Sequence, residues 1–496
     1  MPLGLVASSY LCRRMNVYDK YEVVIGLEVH AQLLTKTKAY SDDIAAYGGE
    51  PNTYVSPVTL GHPGTLPVFN QESLRLAIKL GLATNCQITR YNQFARKNYF
   101  YADLPKGYQI TQDNTPICTN GIVLIGEYGK EKTIRIHRIH MEEDAGKSIH
   151  DLDPFFIFLY FNRAGTPLVE IVFERVMRSG DEAYAYLTEI RRLVRHLEIC
   201  DGNMEEGSLR CDANVSVMLK GATQFGVKVE VKNMNSIRNV KRAIDYEVIR
   251  QIDAIESGET LVQETRSFDA SKGTTFSMRS KEAAHDYRYF PEPDLPPFAV
   301  SDEMIEGIKQ DMPALPKALM HKYIEQLQLS VYDAEILTSE KAIALFFEEI
   351  IQLTKNYKAA ANWVSGPIKS WLNENAKAIN ELSITPKHIA DIIQLIDESK
   401  LNFTIASQQL FPALMEKPEN TAADLAKAMN IIQESDSGLI AQFVDEALAK
   451  FPDKVTEYKN GKKGLLGLFM GEVMKLSKGK ADPKLTSKLL EEKLNN

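Results

Sequence analysis

The sequence predicts a mixed α+β first part followed by an all-helical second part, on three observations. From about residue 20 to 298 the chain holds short alternating or apolar runs, many glycines and polar motifs between them. From about 300 to 496 it reads as helix after helix. Between the two lies Glu292-Pro-Asp-Leu-Pro-Pro-Phe298, whose prolines continue neither a helix nor a central strand. At 496 residues the chain has room for two to four domains with sizeable cores.

The strand part is carried by a repeated alternation. In Val23-Val-Ile-Gly-Leu-Glu-Val-His30 the residues Val23, Ile25, Leu27 and Val29 share one face, because strand side chains alternate with period 2. Val24, Gly26, Glu28 and His30 share the other, where Gly26 removes bulk beside the acid. In Leu209-Arg-Cys-Asp-Ala-Asn-Val-Ser-Val217 the polar face is Arg210, Asp212, Asn214 and Ser216. In Val227-Lys-Val-Glu-Val-Lys232 it is Lys228, Glu230 and Lys232. A sheet with one side in water would alternate in the same way. It explains less well why each polar face sets an acid two residues from a base. Carboxylates gathered with Lys, Arg and Asn suit a site for Mg2+ and phosphate: hard oxygen ligands for the metal, cations for the phosphoryl oxygens.

Between these strands Glu142, Glu143 and Asp144 stand in a row, as a solvated loop or around a metal. His137 and His140 are three apart on a strand-like segment and would point to opposite faces, which argues against a two-histidine metal site. Gly221-Ala-Thr-Gln-Phe-Gly-Val-Lys228 approaches a phosphate loop, but Val227 stands where the lysine belongs, so it reads as a hairpin turn. There is no serine-nucleophile motif and no H-E-x-x-H.

In the helical part Ile343, Phe346, Phe347, Ile350 and Ile351 follow amphipathic-helix spacing. Thr385-Pro386 reads as a cap and a first-turn proline ahead of the stripe Ile389, Ile392, Ile393 and Ile396.

Composition narrows the function classes. A net charge of −8 excludes a generic polyanion binder. Ten lysines against six acids in residues 451–496 make a local +4, leaving −12 on the rest; this is a solvated helical face or a small RNA-binding patch. The five cysteines, at 12, 86, 118, 200 and 211, include no C-x-x-C, which suits a reducing compartment. No apolar run is long enough to span a bilayer, so no membrane partner is expected. Residues 1–18 carry Arg13, Arg14 and no acid until Asp19. They read as an early start codon ahead of Met15 in a cytoplasmic protein; the alternative is a transit peptide of a protein of an organelle matrix.

Seven motifs in series make the chain recognisable: Ile25-Gly-Leu-Glu-Val-His30, Arg96-Lys-Asn-Tyr-Phe-Tyr101, Asp103-Leu-Pro-Lys-Gly-Tyr-Gln109, His140-Met-Glu-Glu-Asp-Ala-Gly-Lys147, Asn162-Arg-Ala-Gly-Thr-Pro167, Glu206-Gly-Ser-Leu-Arg-Cys-Asp-Ala-Asn214 and His285-Asp-Tyr-Arg-Tyr-Phe-Pro-Glu-Pro-Asp294. From about residue 21 to the end the chain resembles the B subunit of the aspartyl/glutamyl-tRNA amidotransferases. The resemblance implies a glutamine-synthetase-like cradle on an antiparallel sheet at 21–298, a helical domain at 299–419 and a mobile, tRNA-binding helical tail at 420–496, with residues 1–20 an extension. It implies ATP-dependent conversion of misacylated Glu-tRNA(Gln) or Asp-tRNA(Asn) to the amide. The ammonia would come from a partner amidase, the A subunit, with a small C subunit in the same complex. ATP is then a substrate and Mg2+ the cofactor. The resemblance favours Glu28, Glu143 and Glu230 as Mg2+ ligands with His30 beside them, and Arg210, Lys232 and Asp212 at the nucleotide phosphates. Tyr99, Tyr101 and Tyr108 would line a cleft for the terminal adenosine, or pack in a core. In the tail, Gly464, Gly467 and Gly471 recur at helical spacing with Lys462, Lys463, Lys475, Lys478 and Lys480 nearby, implying a face for an RNA backbone. Many relatives bind zinc through four cysteines after the first strand. The matching stretch, 38–60, has none, with Ser56 and Thr59 in the expected places, so no zinc is expected. The rival readings are a non-catalytic tRNA-binding scaffold and a ligase of free amino acids.

Overall fold

The computed structural model describes residues 17–150, 152–280, 287–432, 437–477 and 481–495, and the chain divides into two compact units, 1–316 and 317–496. The expected extension at 1–20 therefore lies mostly outside the described residues, as do Lys478 and Lys480.

The alternation of the first unit becomes one 12-stranded sheet. Its principal strands are β1 (Tyr21–Gln32), β2 (Ala95–Asn98), β3 (Tyr108–Thr111), β4 (Cys118–Ile125), β5 (Lys132–Glu143), β6 (Pro167–Phe173), β7 (Leu209–Leu219), β8 (Val229–Lys232), β9 (Glu264–Asp269) and β10 (Thr274–Ser280). They run in the order β10-β9-β8-β7-β1-β6-β5-β3-β2, with Phe290–Pro291 beyond β2 and β4 on the other half of β5. The pairs are antiparallel except β8–β9, which is parallel.

One face of this sheet is dry. Ile25, Leu27 and Val29 of β1 and Ala213 and Val215 of β7 are buried in a single cluster with residues of three helices. Each of the isoleucine, leucine and valine side chains among them contributes about 1.5–3 kcal/mol by leaving water. The helices are α1 (Gln71–Ala83), α2 (Gly180–His196) and α3 (Ile237–Glu256). Each begins at a residue whose side chain accepts a backbone N–H, Asn70, Ser179 and Ser236 respectively, which relieves the orphan donors of the first turn. With the helices on one face, the even-numbered side chains of β1 and β7 are left for the other.

The prolines of 292–298 do not close this unit. Phe298–Ala299 pairs with Tyr91–Asn92, and the helix Asp302–Gln310 packs on α1, burying Ile305 and Ile308 in the main cluster. The compact unit therefore runs to 316 rather than 298.

In the second unit the expected stripes are helices. Lys341–Leu353 buries Phe347, Ile350 and Ile351, with Ile343 and Phe346 half-buried. Pro386–Asp397 buries Ile389, Ile392 and Ile393 and packs against it. Its start is tied by His388, whose Nδ1 accepts the Thr385 N–H at 3.1 Å. The helix Ala422–Ala428 still belongs with these, packing on Pro386–Asp397. A separate core begins later, where Ile440, Val444, Phe469, Val473, Leu490 and Leu494 pack together.

Candidate active site

Strand register decides which polar side chains meet. Across β1 and β7, Glu28 stands opposite Asp212, His30 opposite Arg210 and Gly26 opposite Asn214. Asn214 in turn faces Glu230 on β8. On the other side of β1, His30 faces Glu170 of β6, and Glu170 faces His140 of β5. Directly opposed residues share a face, so the uncovered face carries Glu28, His30, His140, Glu142, Glu170, Arg210, Asp212, Asn214, Glu230 and Lys232.

At its centre one ligand atom from each of His30, Glu142 and Glu170 lies within 4.8 Å of the others. His30 Nε2 is 3.5 Å from Glu170 and 3.7 Å from Glu142, and His140 Nε2 is 3.2 Å from Glu170. Burial alone would depress both imidazoles. Their carboxylate neighbours outweigh it, raising His30 and lifting His140 to about 9. Glu28 is the reverse case: burial first, then repulsion by Glu170, Asp212 and Glu230, raise its carboxyl, against the opposing pull of the Asn214 amide, which donates at 2.9 Å. The repulsion that raises Glu28 is what a divalent cation among these carboxylates would relieve; Glu142 and Glu170, despite their burial, are held below the usual carboxylate range by His140 and His30. The donor set fits such an ion.

Cations ring the acids. Arg210 donates to Asp144 at 2.9 Å and Lys232 to Asp212 at 2.6 Å, with Glu230 3.4 Å away. The Nε of Arg210 is buried with no partner among the described residues. A cavity of about 580 Å³ opens over this part of the face, lined among others by His30, Lys97, Tyr99, Glu142, Asp144, Arg163, Arg210, Asp212 and Lys232. Next to it, sharing Lys97 and Tyr99, an aromatic cavity of about 870 Å³ is lined by Phe100, Tyr101, Tyr287, Arg288 and Phe290.

Two expected members are elsewhere. Glu143, one residue on from Glu142, points to the opposite side of β5. There it pairs with Lys106, accepts the Ile110 N–H at 2.9 Å and lines a small pocket with Lys38 and Tyr40. It is thus separated from Glu28 and Glu230. Tyr108 lines that same pocket rather than the cleft with Tyr99 and Tyr101. Conversely, sequence reasoning does not find Glu170 and His140 as members of the site, and offers Glu142 only within an acidic run that is either solvated or around a metal. A lone acid inside the apolar run Leu168-Val-Glu-Ile-Val172 is the available signal for the first.

The stretch 38–60 is organised around Asp43. Its Oδ2 accepts from Ser41 Oγ at 3.1 Å, from the Ser56 N–H and Oγ, each at 2.9 Å, and from Thr59 Oγ1. Hydroxyls and one carboxylate thus close the loop.

Comparison with known proteins settles the family. Residues 23–306 match the GatB/GatE catalytic domain and residues 345–494 the GatB domain. The chain is 50% identical over 471 residues to the B subunit of the aspartyl/glutamyl-tRNA(Asn/Gln) amidotransferase of Thermodesulfovibrio yellowstonii, covering 95% of this chain and 98% of the relative. This chain belongs to the family of amidotransferase B subunits. Those of Syntrophotalea carbinolica and Caldicellulosiruptor bescii are 49% and 48% identical, each over 96% of this chain and 99% of the relative.

In the family's C-terminal domain, Lys462, Lys463 and Lys475 are exposed. Lys462 pairs with Glu457 at 3.0 Å, and the Lys463 ammonium sits 4.2 Å from the centre of the Tyr458 ring. Among the described residues a side chain added at Gly464, Gly467 or Gly471 would meet nothing within 4 Å outside its own helix. Among the described residues no helix is long and apolar enough to cross a membrane.

Proposed function

We propose that this chain is the carboxylate-activating and tRNA-binding member of an amidotransferase that acts on Glu-tRNA(Gln), Asp-tRNA(Asn) or both. Its complex would also contain an amidase, the A subunit, and a small C subunit. The observation that carries the reading is the single polar sheet face where mutually repelling acids stand ringed by arginine and lysine. It is what phosphoryl transfer requires and what hydrolysis of glutamine does not. The sheet with helices on one face is consistent with a glutamine-synthetase-like cradle.

In the first step an oxygen of the aminoacyl side-chain carboxylate attacks the γ-phosphorus of ATP. The bond to the β-phosphate breaks, giving an acyl phosphate and ADP. In the second, ammonia attacks the acyl carbon, loses a proton, and phosphate leaves. Bound Mg2+ would neutralise the phosphoryl oxygens. Glu28, Glu142 and Glu170, with His30, are the groups on this face suited to hold it. Glu143 is paired with Lys106 on the other side of the strand, and Glu230 is engaged by Thr265 at 2.8 Å and by Lys232. Arg210 and Lys232 steady the phosphates, with Asp212 orienting Lys232. In the C-terminal core, Lys462, Lys463 and Lys475 and the open glycine face offer a patch for the tRNA backbone.

The test is amidation of both charged tRNAs by the purified complex, with ADP release measured in parallel. ADP formation that requires misacylated tRNA supports the reading. Amidation that continues after this chain's acids are removed would reduce the chain to a scaffold, and ADP formation from free glutamate or aspartate would make it a free-amino-acid ligase.

A further inference from the structure

The dry face of the sheet holds a pair of thiols that the chemistry above does not use. The chain leaves α1 at Thr84, turns through Asn85 in a left-handed conformation (φ 54°) and reaches Cys86. The short strand Gln87–Ile88 then pairs with the start of β4, Gln87 opposite Thr119 and Ile88 opposite Cys118. Continued by one residue, that register sets Cys86 diagonally across from Cys118, within side-chain reach. The two sulfurs are in hydrogen-bond contact. Cys118 is buried and Cys86 half-buried. Both pack with the main apolar cluster, Cys118 directly opposite Ile139 of β5.

Glycines make room for this pair. A Cβ at Gly121 would stand 2.3 Å from Cys86 Sγ, and one at Gly81 2.4 Å from Cys118 Sγ. A side chain at either position would displace a sulfur. Thr84 Oγ1 lies 3.3 Å from Cys86 Sγ. The hydrogen bond with Cys118 holds the Cys86 thiol below the usual thiol range; burial opposes this, and the Thr84 hydroxyl adds to it. Burial pushes the other thiols up: Cys118, Cys211, and Cys200 to about 12. Of the described cysteines, Cys86 alone is not fully buried. It combines access to solvent, a stabilised thiolate and a second sulfur held against it. An oxidant-sensitive cysteine with a resolving partner needs these three things.

We propose that Cys86 and Cys118 form a redox site, which hydrogen peroxide converts to a reversible disulfide. The Cys86 thiolate attacks one oxygen of the peroxide. The O–O bond breaks, hydroxide leaves and takes up the thiol proton as water, and Cys86 becomes a sulfenic acid. The Cys118 sulfur then attacks the Cys86 sulfur. The S–S bond forms, the S–O bond breaks, and the hydroxyl leaves with the Cys118 proton as a second water. The thiol pair gives up two electrons and the peroxide takes them. The cross-link closes the loop 86–118. That loop carries β2 and β3, and with them Lys97, Tyr99 and Gln109 of the cavity over the acids and Tyr101 of the aromatic cavity. Oxidation thus ties both ends of the segment that lines the cavities, from the helix-covered side and without touching the acidic face. In a reducing compartment such a bond is transient, made under oxidant and removed by thiols.

The test is mass spectrometry of the purified full-length chain after exposure to hydrogen peroxide, with free thiols alkylated before digestion. Peptides holding Cys86 and Cys118 should appear joined, and should separate on treatment with dithiothreitol. Their loss as free thiols should be at least about tenfold faster than that of Cys200 and Cys211, whose thiolate form burial suppresses. Cys118→Ser should stop the reaction at a Cys86 sulfenic acid, captured by dimedone. Cys86→Ser should leave Cys118 free. The thermal unfolding midpoint should rise on oxidation of the wild type and of neither variant, because only the wild type gains a closed loop. The midpoints before oxidation show that each variant is folded. A wild type in which Cys118 stays free, or in which either thiol joins a different cysteine, would overturn the assignment. So would oxidation of Cys200 or Cys211 as fast as the pair, or a midpoint that the cross-link leaves unmoved.

Discussion

The two charged regions of this molecule are built on different principles. The acids of the sheet face are fixed by register: His30, Glu170 and His140 lie side by side because β1, β6 and β5 pair as they do, and every neighbour is within hydrogen-bond or ion-pair range. The lysines of the C-terminal core are exposed, Lys462 paired with Glu457 and Lys463 set against the Tyr458 ring and Asn495. The first arrangement specifies geometry and is sensitive to one atom. The second specifies a potential and tolerates loss of any one member. Chemistry at a carboxylate calls for the former, and attraction of a polyanion needs only the latter.

The sharpest way to break this contrast is to remove one charge from the face without changing its shape. Glu28→Gln and Glu170→Gln should each lower tRNA-dependent ADP formation by at least about 10²-fold, while glutamine hydrolysis by the partner amidase continues. Glu143→Gln is the informative control. It removes the partner of Lys106, so the Mg2+ concentration for half-maximal ADP formation should rise in the first two variants and not in this one. An equal rise in all three would return Glu143 to the ligand set. Arg210→Ala comes next: loss of a guanidinium with a spare buried Nε should cost about 10²–10³-fold in turnover, read as kcat at saturating ATP.

How much of this is legible in the sequence follows from the same contrast. The alternation of 23–30 and 209–217 exposes which acids share a face, because period 2 is a local property. Which strands stand next to one another is not local. β6 contributes Glu170 from a run with a single acid, and nothing nearby says that it will lie between two histidines. The adjacent acids Glu142 and Glu143 look like one group in the sequence, although successive strand residues point to opposite faces; applying the period there separates them. Period 2 would set His137 and His140 on opposite faces, but the register of β5 shifts beside Val172 and His137 lines a groove with Glu28; His140 finds its histidine partner, His30, two strands away across Glu170. The helical stripes at 343–351 and 389–396 are legible because helical period and burial both act over a few turns. The boundary expected at 298 is misplaced because prolines mark where regular structure stops, not where packing stops.

The lysine region should respond more gently. Deleting residues 437–496, which removes the separate core of Ile440, Phe469 and Leu494 without cutting the helix Ala422–Ala428, should weaken tRNA binding while nucleotide binding by the first unit is kept. Neutralising Lys462, Lys463 and Lys475 together should lower the slope of log K against log salt by up to about one for each phosphate no longer neutralised, and any one alone by correspondingly less. A truncated complex with unchanged affinity and slope would assign recognition to the sheet face or to the partner proteins.

The smallest effect is expected in the loop at 38–60, where the comparison turns on a single carboxylate. Burial tends to raise the Asp43 carboxyl, but hydrogen bonds from Thr59, Ser56 and Ser41 prevail and hold it below the usual carboxylate range. A carboxyl whose pKa is lower folded than unfolded adds stability above its unfolded pKa. That stability is lost as pH falls through the folded value. Asp43→Asn should therefore destabilise the first unit at neutral pH by about 1 kcal/mol, since hydrogen bonds to a charged group contribute more but Asp43 is only partly buried. Below about pH 4, the ordinary carboxylate range, the difference from wild type should shrink. The measurement is thermal unfolding of both proteins across that range. Because Ser41, Ser56 and Thr59 already occupy the carboxylate that closes the loop, a zinc chelator should leave the wild-type curve unmoved and elemental analysis should find less than one zinc per chain. Stoichiometric zinc, or an Asp43→Asn deficit that grows rather than shrinks in acid, would mean that the loop is held by something other than this carboxylate.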